Sequence, residues 1–259
     1  MLKRVVCLLA MGACRGPMLQ AADNPFAGRW KLNPGKSRMT GQIDSIQSVG
    51  ADKYQFTRGA LSWTLTADGK EQPLPFGGTT TLVAVAPGTW KFTYKVDGKL
   101  VSTDHWWLAP DEKSMLRASE GTRLDGSIFD NETKYSRTAG EKGFAGTWKS
   151  TKITARTPDE MVILANGDDG ITRTLPADNS TVSLKFDGAD YPMTGPNVPP
   201  GMTLGAERTG HHKIKTTSKL NGKLLGTAEI MVSGDGKRIE ILAYDAGVTL
   251  PYLMIYDRE

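Results

Sequence analysis

The side chains best suited to chemistry are few in this 259-residue chain, and none falls into a reactive pattern. There are three histidines, His105, His211 and His212. On an extended strand neighbouring side chains project to opposite faces, so the His211-His212 pair would serve neither a shared metal nor a proton relay. No Cys or His stands at zinc-ligand spacing from any of the three. Gly167-Asp168-Asp169-Gly170 has the form of a cation loop, yet the distal glutamate of an EF-hand is absent, which points to a solvated turn. Asp159-Glu160 would diverge on a strand in the same way as the histidines. The chain contains no Gly-x-Ser-x-Gly elbow, no dinucleotide-binding glycine fingerprint and no phosphate-binding lysine in a glycine-rich loop. The sequence therefore predicts no catalytic residue, no metal and no cofactor. A hydrolase or isomerase would need a carboxylate or His105 turned into a cavity with a shifted pKa.

Aromatic side chains carry more information. Residues 23 to 139 hold five Trp, five Phe and three Tyr, whereas residues 143 to 259 hold one Trp, two Phe and four Tyr. In "TWKFTYKV" the residues Trp90, Phe92, Tyr94 and Val96 alternate with Thr89, Lys91, Thr93 and Lys95, the period of two that marks a half-buried strand. Leu61, Trp63 and Leu65 alternate likewise, as do Val182, Leu184 and Phe186. In "DHWWL" Trp106 and Trp107 must face opposite ways, so at most one joins Trp90 inside. The other, beside His105, would seat a ligand or form a protein seam. The candidate ligand-binding set is thus Trp63, Trp90, Phe92, Tyr94, His105, Trp106 and Trp107, and these rings would either line a pocket or fill it.

The N-terminus reads as a processed leader. Lys3 and Arg4 precede a short apolar run, and Ala21 and Ala22 offer small residues for cleavage, which gives a signal peptide over residues 1 to 22. A second reading takes Met11-Gly12-Ala13-Cys14 as a lipoprotein box with Cys14 lipidated. Both place the mature protein in the periplasm or outside the cell. The run is too short to span a membrane. Cys7 and Cys14 are the only cysteines, so the mature domains can form no disulfide. Setting aside Lys3, Arg4 and Arg15 leaves 29 basic against 28 acidic residues, so the formal charge of +4 gives no reason to expect nucleic acid as a partner.

The chain repeats itself. "NPFAGRWKLN" returns as "KGFAGTWKST", with Trp30 answered by Trp148, 118 positions on. Asp68-Gly69, Asp97-Gly98 and Tyr135-x-Arg137 return as Asp187-Gly188, Asn221-Gly222 and Tyr256-x-Arg258 in the same order. This predicts a duplication, with one domain over residues 23 to 139 and a second over 143 to 259, joined by "TAGEKG" at 138 to 143. Asp-Gly and Asn-Gly dipeptides mark hairpin turns between the strands. Each unit should form roughly eight antiparallel strands that hide one apolar face either by curling into an up-and-down barrel or by folding into two stacked sheets.

Phe26-x-Gly28-x-Trp30-Lys31-Leu32 and Phe144-x-Gly146-x-Trp148-Lys149 resemble the Gly-x-Trp first strand of lipocalins and fatty-acid-binding proteins. They also resemble secreted bacterial proteins opening with Asn-Pro-Phe-x-Gly-x-Trp-Lys-x-Asn. The resemblance implies an all-β fold of two tandem lipocalin-like barrels. In each, an opening tryptophan, Trp30 or Trp148, would be capped by a late arginine of the same unit, Arg137 or Arg258. The Arg-x-Tyr carboxylate clamp of the fatty-acid binders is missing from both last strands. The expectation is a non-catalytic binding protein of the cell envelope, holding a small hydrophobic or aromatic ligand in the aromatic-rich first barrel. The alternative is a filled scaffold that contacts an envelope protein partner.

Overall fold

The computed structural model describes residues 24–140, 142–248 and 250–259. The leader, Cys14 and Asp23 lie outside the described residues. The fold is all-β, with one short 3-10 turn at Pro176–Asp178. Among the described residues no helix is long and apolar enough to cross a membrane.

In chain order the strands are β1 (Gly28–Leu32), β2 (Ile43–Gly50), β3 (Lys53–Arg58), β4 (Leu61–Thr66), β5 (Gln72–Pro73), β6 (Thr79–Ala86), β7 (Thr89–Val96), β8 (Lys99–Leu108), β9 (Ser114–Thr122) and β10 (Ile128–Ala139). The second unit follows with β11 (Gly146–Ala155), β12 (Glu160–Ala165), β13 (Gly170–Leu175), β14 (Ser180–Lys185), β15 (Asp187–Pro192), β16 (Met202–Gly210), β17 (Lys213–Leu220), β18 (Lys223–Val232), β19 (Arg238–Asp245) and β20 (Tyr252–Arg258). Each unit supplies ten strands rather than the expected eight, because segments as short as β5 pair too and leave little alternation to read.

Two antiparallel ten-stranded sheets result, each nearly closed into a barrel. Their strand orders are β4-β3-β2-β11-β10-β9-β8-β7-β6-β5, called barrel 1, and β14-β13-β12-β1-β20-β19-β18-β17-β16-β15, called barrel 2. The bridges Asp68↔Val83 and Thr181↔Thr194 draw the remaining gaps together. Closure of this kind leaves little exposed edge for a second chain to pair with.

The opening strands are exchanged. Strand β1 lies in barrel 2 between β12 and β20, and β11 lies in barrel 1 between β2 and β10. Barrel 1 is therefore one continuous stretch, residues 43–155, inserted between the first strand of barrel 2 and the rest of it. This corrects the expectation that each half closes its own sheet. "TAGEKG" is no linker between barrels: Thr138 and Ala139 end β10, and the chain turns straight into its hairpin partner β11. The physical reason is reach. After six intervening residues β11 can pair with the adjacent β10, a local contact that costs little loop entropy. Strand β1, left outside, fills the vacancy beside β20.

Asp97 and Asn221 take positive φ together with Gly98 and Gly222, the geometry of tight hairpin turns. At Asp68, Asp187 and Asp235 only the following glycine does.

Candidate functional site

The two plugs are built alike. The Trp30 and Trp148 rings are fully buried, and their indole N–H groups donate to the Phe26 and Phe144 carbonyls at 2.9 and 2.8 Å. Arg258 lies 4.1 Å over Trp30, and Arg137 lies 4.2 Å over Trp148. Each ring thus meets a guanidinium, but the partners are crossed between units relative to the expectation: Trp30 pairs with Arg258 and Trp148 with Arg137, because the strands that carry the rings are exchanged. Arg258 also donates to the Ala27 carbonyl at 2.7 Å, and Arg137 to that of Ala145 at 2.7 Å. The motif glycines follow from this packing. A Cβ on Gly28 would stand 2.3 Å from Arg258 Nη1, and one on Gly146 would stand 2.6 Å from Arg137 Nη1, at φ of +149° and +150°.

Barrel 1 holds a half-open cavity of about 440 Å³. Aromatic walls come from alternate positions of neighbouring strands: Phe56 on β3, Trp63 on β4, Phe92 and Tyr94 on β7 and Trp106 on β8, with Phe76 from the loop before β6. Phe56 and Trp63 stack at 5.8 Å and 13°, and Phe76 meets Trp63 edge-on at 5.3 Å. The Phe92 and Trp106 rings lie 4.8 Å apart.

Four charges share the cavity wall. Arg58 grips Asp44 through Nε at 2.5 Å and Nη2 at 2.7 Å, and Arg117 reaches Asp104 through Nε at 2.9 Å and Nη2 at 2.6 Å. Both aspartates are buried and both guanidiniums half-buried. Desolvation would lower the pKa of each arginine, but the adjacent carboxylate outweighs it and raises both. The four groups form two salt bridges in the wall.

The mouth is shared with the other barrel. Asn197, from the proline-rich excursion between β15 and β16, lines the cavity and bonds the Tyr94 hydroxyl. Tyr94, Ser102 and Asn197 also line a second chamber of about 280 Å³ at the seam, together with Asp159, Asp178 and Arg123. Arg123 Nη2 lies 2.8 Å from Asp159. Burial pushes the carboxyls of Asp159 and Asp178 up, and burial with nearby Asp178 pushes the Tyr94 phenol to about 12.

Of the residues singled out in the sequence, Trp63, Phe92, Tyr94 and Trp106 meet in the cavity. Trp90 is buried outside its lining and stacks on Phe144 at 4.0 Å. His105 and Trp107 lie on the outer face, stacked on each other at 5.5 Å, and so leave the candidate ligand-binding set, because the pleat that turns Trp106 inward turns both of its neighbours outward. His211 and His212 occupy the turn between β16 and β17 rather than a strand, with their rings 4.6 Å apart. Asp169 receives Arg208 at 3.2 Å, and Glu160 receives Arg29 at 3.1 Å. Among the described residues no group of three or more His, Cys, Asp and Glu is placed to hold a metal ion.

The charged wall residues and Asn197 were missed. For the charges a signal existed: Arg58 is in phase with Phe56, Asp44 with Ile46, and Asp104 with Trp106. Each is a charge at an inward position, where it must find a partner. For Asn197 the signal lay in its surroundings: residues 191 to 210, with prolines 192, 196, 199 and 200 and glycines 195, 201, 205 and 210, read as a long loop of the kind that borders a site, but nothing in it singles out Asn197, whose place comes from a loop of one barrel reaching the mouth of the other. No protein-family model and no curated protein matches this chain.

Proposed function

We propose that the protein is a non-catalytic, lipocalin-like binding protein of the cell envelope that holds a small hydrophobic or aromatic ligand inside barrel 1. The observation that carries this reading is the aromatic-walled cavity of about 440 Å³, within the range of about 300–1,000 Å³ common to small-molecule sites. Binding rather than turnover is favoured by the wall chemistry. Both carboxylates are held by arginine, and His105 faces away from the cavity. The leader read over residues 1 to 22 supports a periplasmic or secreted location.

Native mass spectrometry of the protein recovered from its own periplasm should show an adduct that dissociates on unfolding. The neutral apolar probe N-phenyl-1-naphthylamine should brighten on binding, and Trp63→Val should weaken it about tenfold by removing one face of the pocket. No adduct and no probe binding would retire the proposal.

A further inference from the structure

The two ion pairs in the wall of barrel 1 are built differently. Arg58 bonds both oxygens of Asp44, whereas both contacts of Arg117 fall on one oxygen of Asp104, Oδ2. Among the described residues no hydrogen bond reaches Asp104 Oδ1 and none leaves Arg117 Nη1, yet neither atom is sealed from solvent. The side chains of Asp104 and Arg117 are 11% and 28% exposed. Asp104 stands between Phe92 on β7 and Ser119 on β9, and Arg117 stands opposite Trp106. The pleat therefore turns both inward, and their free surface faces the cavity that they line.

An unspent acceptor and an unspent donor in an aromatic chamber restrict what can enter. A ligand that displaces water from this wall must replace the hydrogen bonds water makes with it, or leave a carboxylate oxygen and a guanidinium N–H unpaired. A hydrocarbon replaces neither. An anion would have to take Arg117 from Asp104, and a cation would enter beside the guanidiniums of both Arg58 and Arg117. A neutral ring that carries an N–H next to a carbonyl supplies a donor for Oδ1 and an acceptor for Nη1, while its faces suit the rings of Phe56, Trp63, Phe92 and Trp106. Size agrees: 440 Å³ is the space of about fifteen waters at about 30 Å³ each, which suits two or three fused rings better than a long acyl chain.

We propose that the cavity's ligand is a neutral aromatic heterocycle with a lactam or imide edge, whose N–H donates to Asp104 Oδ1 and whose carbonyl accepts from Arg117. This rests on the binding function proposed above and names its ligand class. The test compares four probes of nearly equal size by equilibrium dialysis against the mature chain: 4-methylquinolin-2(1H)-one, its isomer 1-methylquinolin-2(1H)-one, 1-methylnaphthalene and 1-naphthoate. The two lactams differ only in whether the methyl group sits on carbon or replaces the N–H. The first should bind about tenfold tighter, the worth of a hydrogen bond to a charged group, with the hydrocarbon weaker than either lactam and the anion weakest. Asp104→Asn takes the counter-ion from Arg117 and should raise naphthoate from the weakest probe to the tightest; the wild-type ranking stands as evidence even if that variant folds poorly. A crystal structure of the complex should place the lactam N–H on Asp104 Oδ1. Equal binding of the two isomers, tightest binding of naphthoate by the wild type, a folded Asp104→Asn protein with the order unchanged, or a lactam seated away from Asp104 would overturn the ligand class and leave the cavity as a binding site. Failure of all four probes to bind would overturn both.

Discussion

Barrel 1 and barrel 2 share a closure and differ in what they enclose. In barrel 1 Trp106 stands opposite Trp90, and Arg117 opposite Trp106; at the corresponding register barrel 2 has Ile230 opposite Ile214, and Ile241 opposite Ile230. Asp44, opposite Trp148, is matched by Met161, opposite Trp30. Trp63, opposite Phe56, is matched by Val182, opposite Arg173. Branched aliphatic side chains interdigitate and fill space, as in the cluster of Ile163, Ile171, Val182, Leu184, Ile214 and Ile239. Planar rings propped edge-on against one another, with ion pairs between them, leave a lumen. One scaffold thus gives a packed body and a hollow one through changes at a handful of inward positions. Barrel 2 carries Arg173 at one of these positions, whose pKa burial lowers while Tyr256 opposes the shift.

The comparison is sharpest where it concerns the exchanged strands. A chain of residues 43–155 contains every strand of barrel 1, whereas residues 23–139 lack β11 and with it the Trp148 plug. The first should fold, with near-ultraviolet dichroism from its packed tryptophans. The second should lose that signal, since removing a buried tryptophan alone costs about 3–5 kcal/mol before any strand pairing is counted. Equal folding of the two fragments would mean that the exchange is not what closes the barrel.

A smaller effect follows from making barrel 1 resemble barrel 2. Asp44→Met should strand a half-buried guanidinium and cost about 1–3 kcal/mol, less than a fully buried pair because water still reaches Arg58. Adding Arg58→Leu, with the residue that barrel 2 carries at Leu175, should recover most of the loss in urea denaturation. Non-additive recovery is the expected signature of a pair.

At the shared mouth, Asn197→Ala should cost about 0.5–1.5 kcal/mol of stability, the worth of one hydrogen bond, while stopped-flow measurements show the bound probe leaving several-fold faster. Unchanged release would mean that the Tyr94–Asn197 contact does not hold the mouth shut.

The smallest effect concerns pH at the seam. Asp159 and Asp178 have raised pKa values in the folded protein, so between the ordinary carboxylate range and those values the folded state binds more protons than the unfolded chain. Their contribution is fully present at low pH and lost as pH rises through the raised values. Asp257, Asp235 and Asp187 are lowered and act in the opposite sense, losing stability as pH falls through their folded values. Replacing Asp159 and Asp178 together with Asn should flatten the decline on the alkaline side of the optimum; an unchanged curve would show that the seam does not titrate.

Alternation along each strand determined a great deal by itself. It put Trp63 and Phe92 on the apolar face and set Trp106 and Trp107 on opposite faces without fixing which lies inside, while the resemblance of the repeated Gly-x-Trp, with its late Tyr-x-Arg, to the lipocalin pattern implied two barrels plugged by indole and guanidinium. The alternation is a property of a period of two, which neighbours in the chain already specify. Tertiary structure alone decided which indole meets which guanidinium, because β11 can reach β10 by a short turn and β1 must then take the place beside β20. It alone also decided that barrel 1 is hollow and that Asn197 reaches its mouth. Whether rings fill or line a space depends on how walls from distant strands meet, and no local pattern in a chain records that distance.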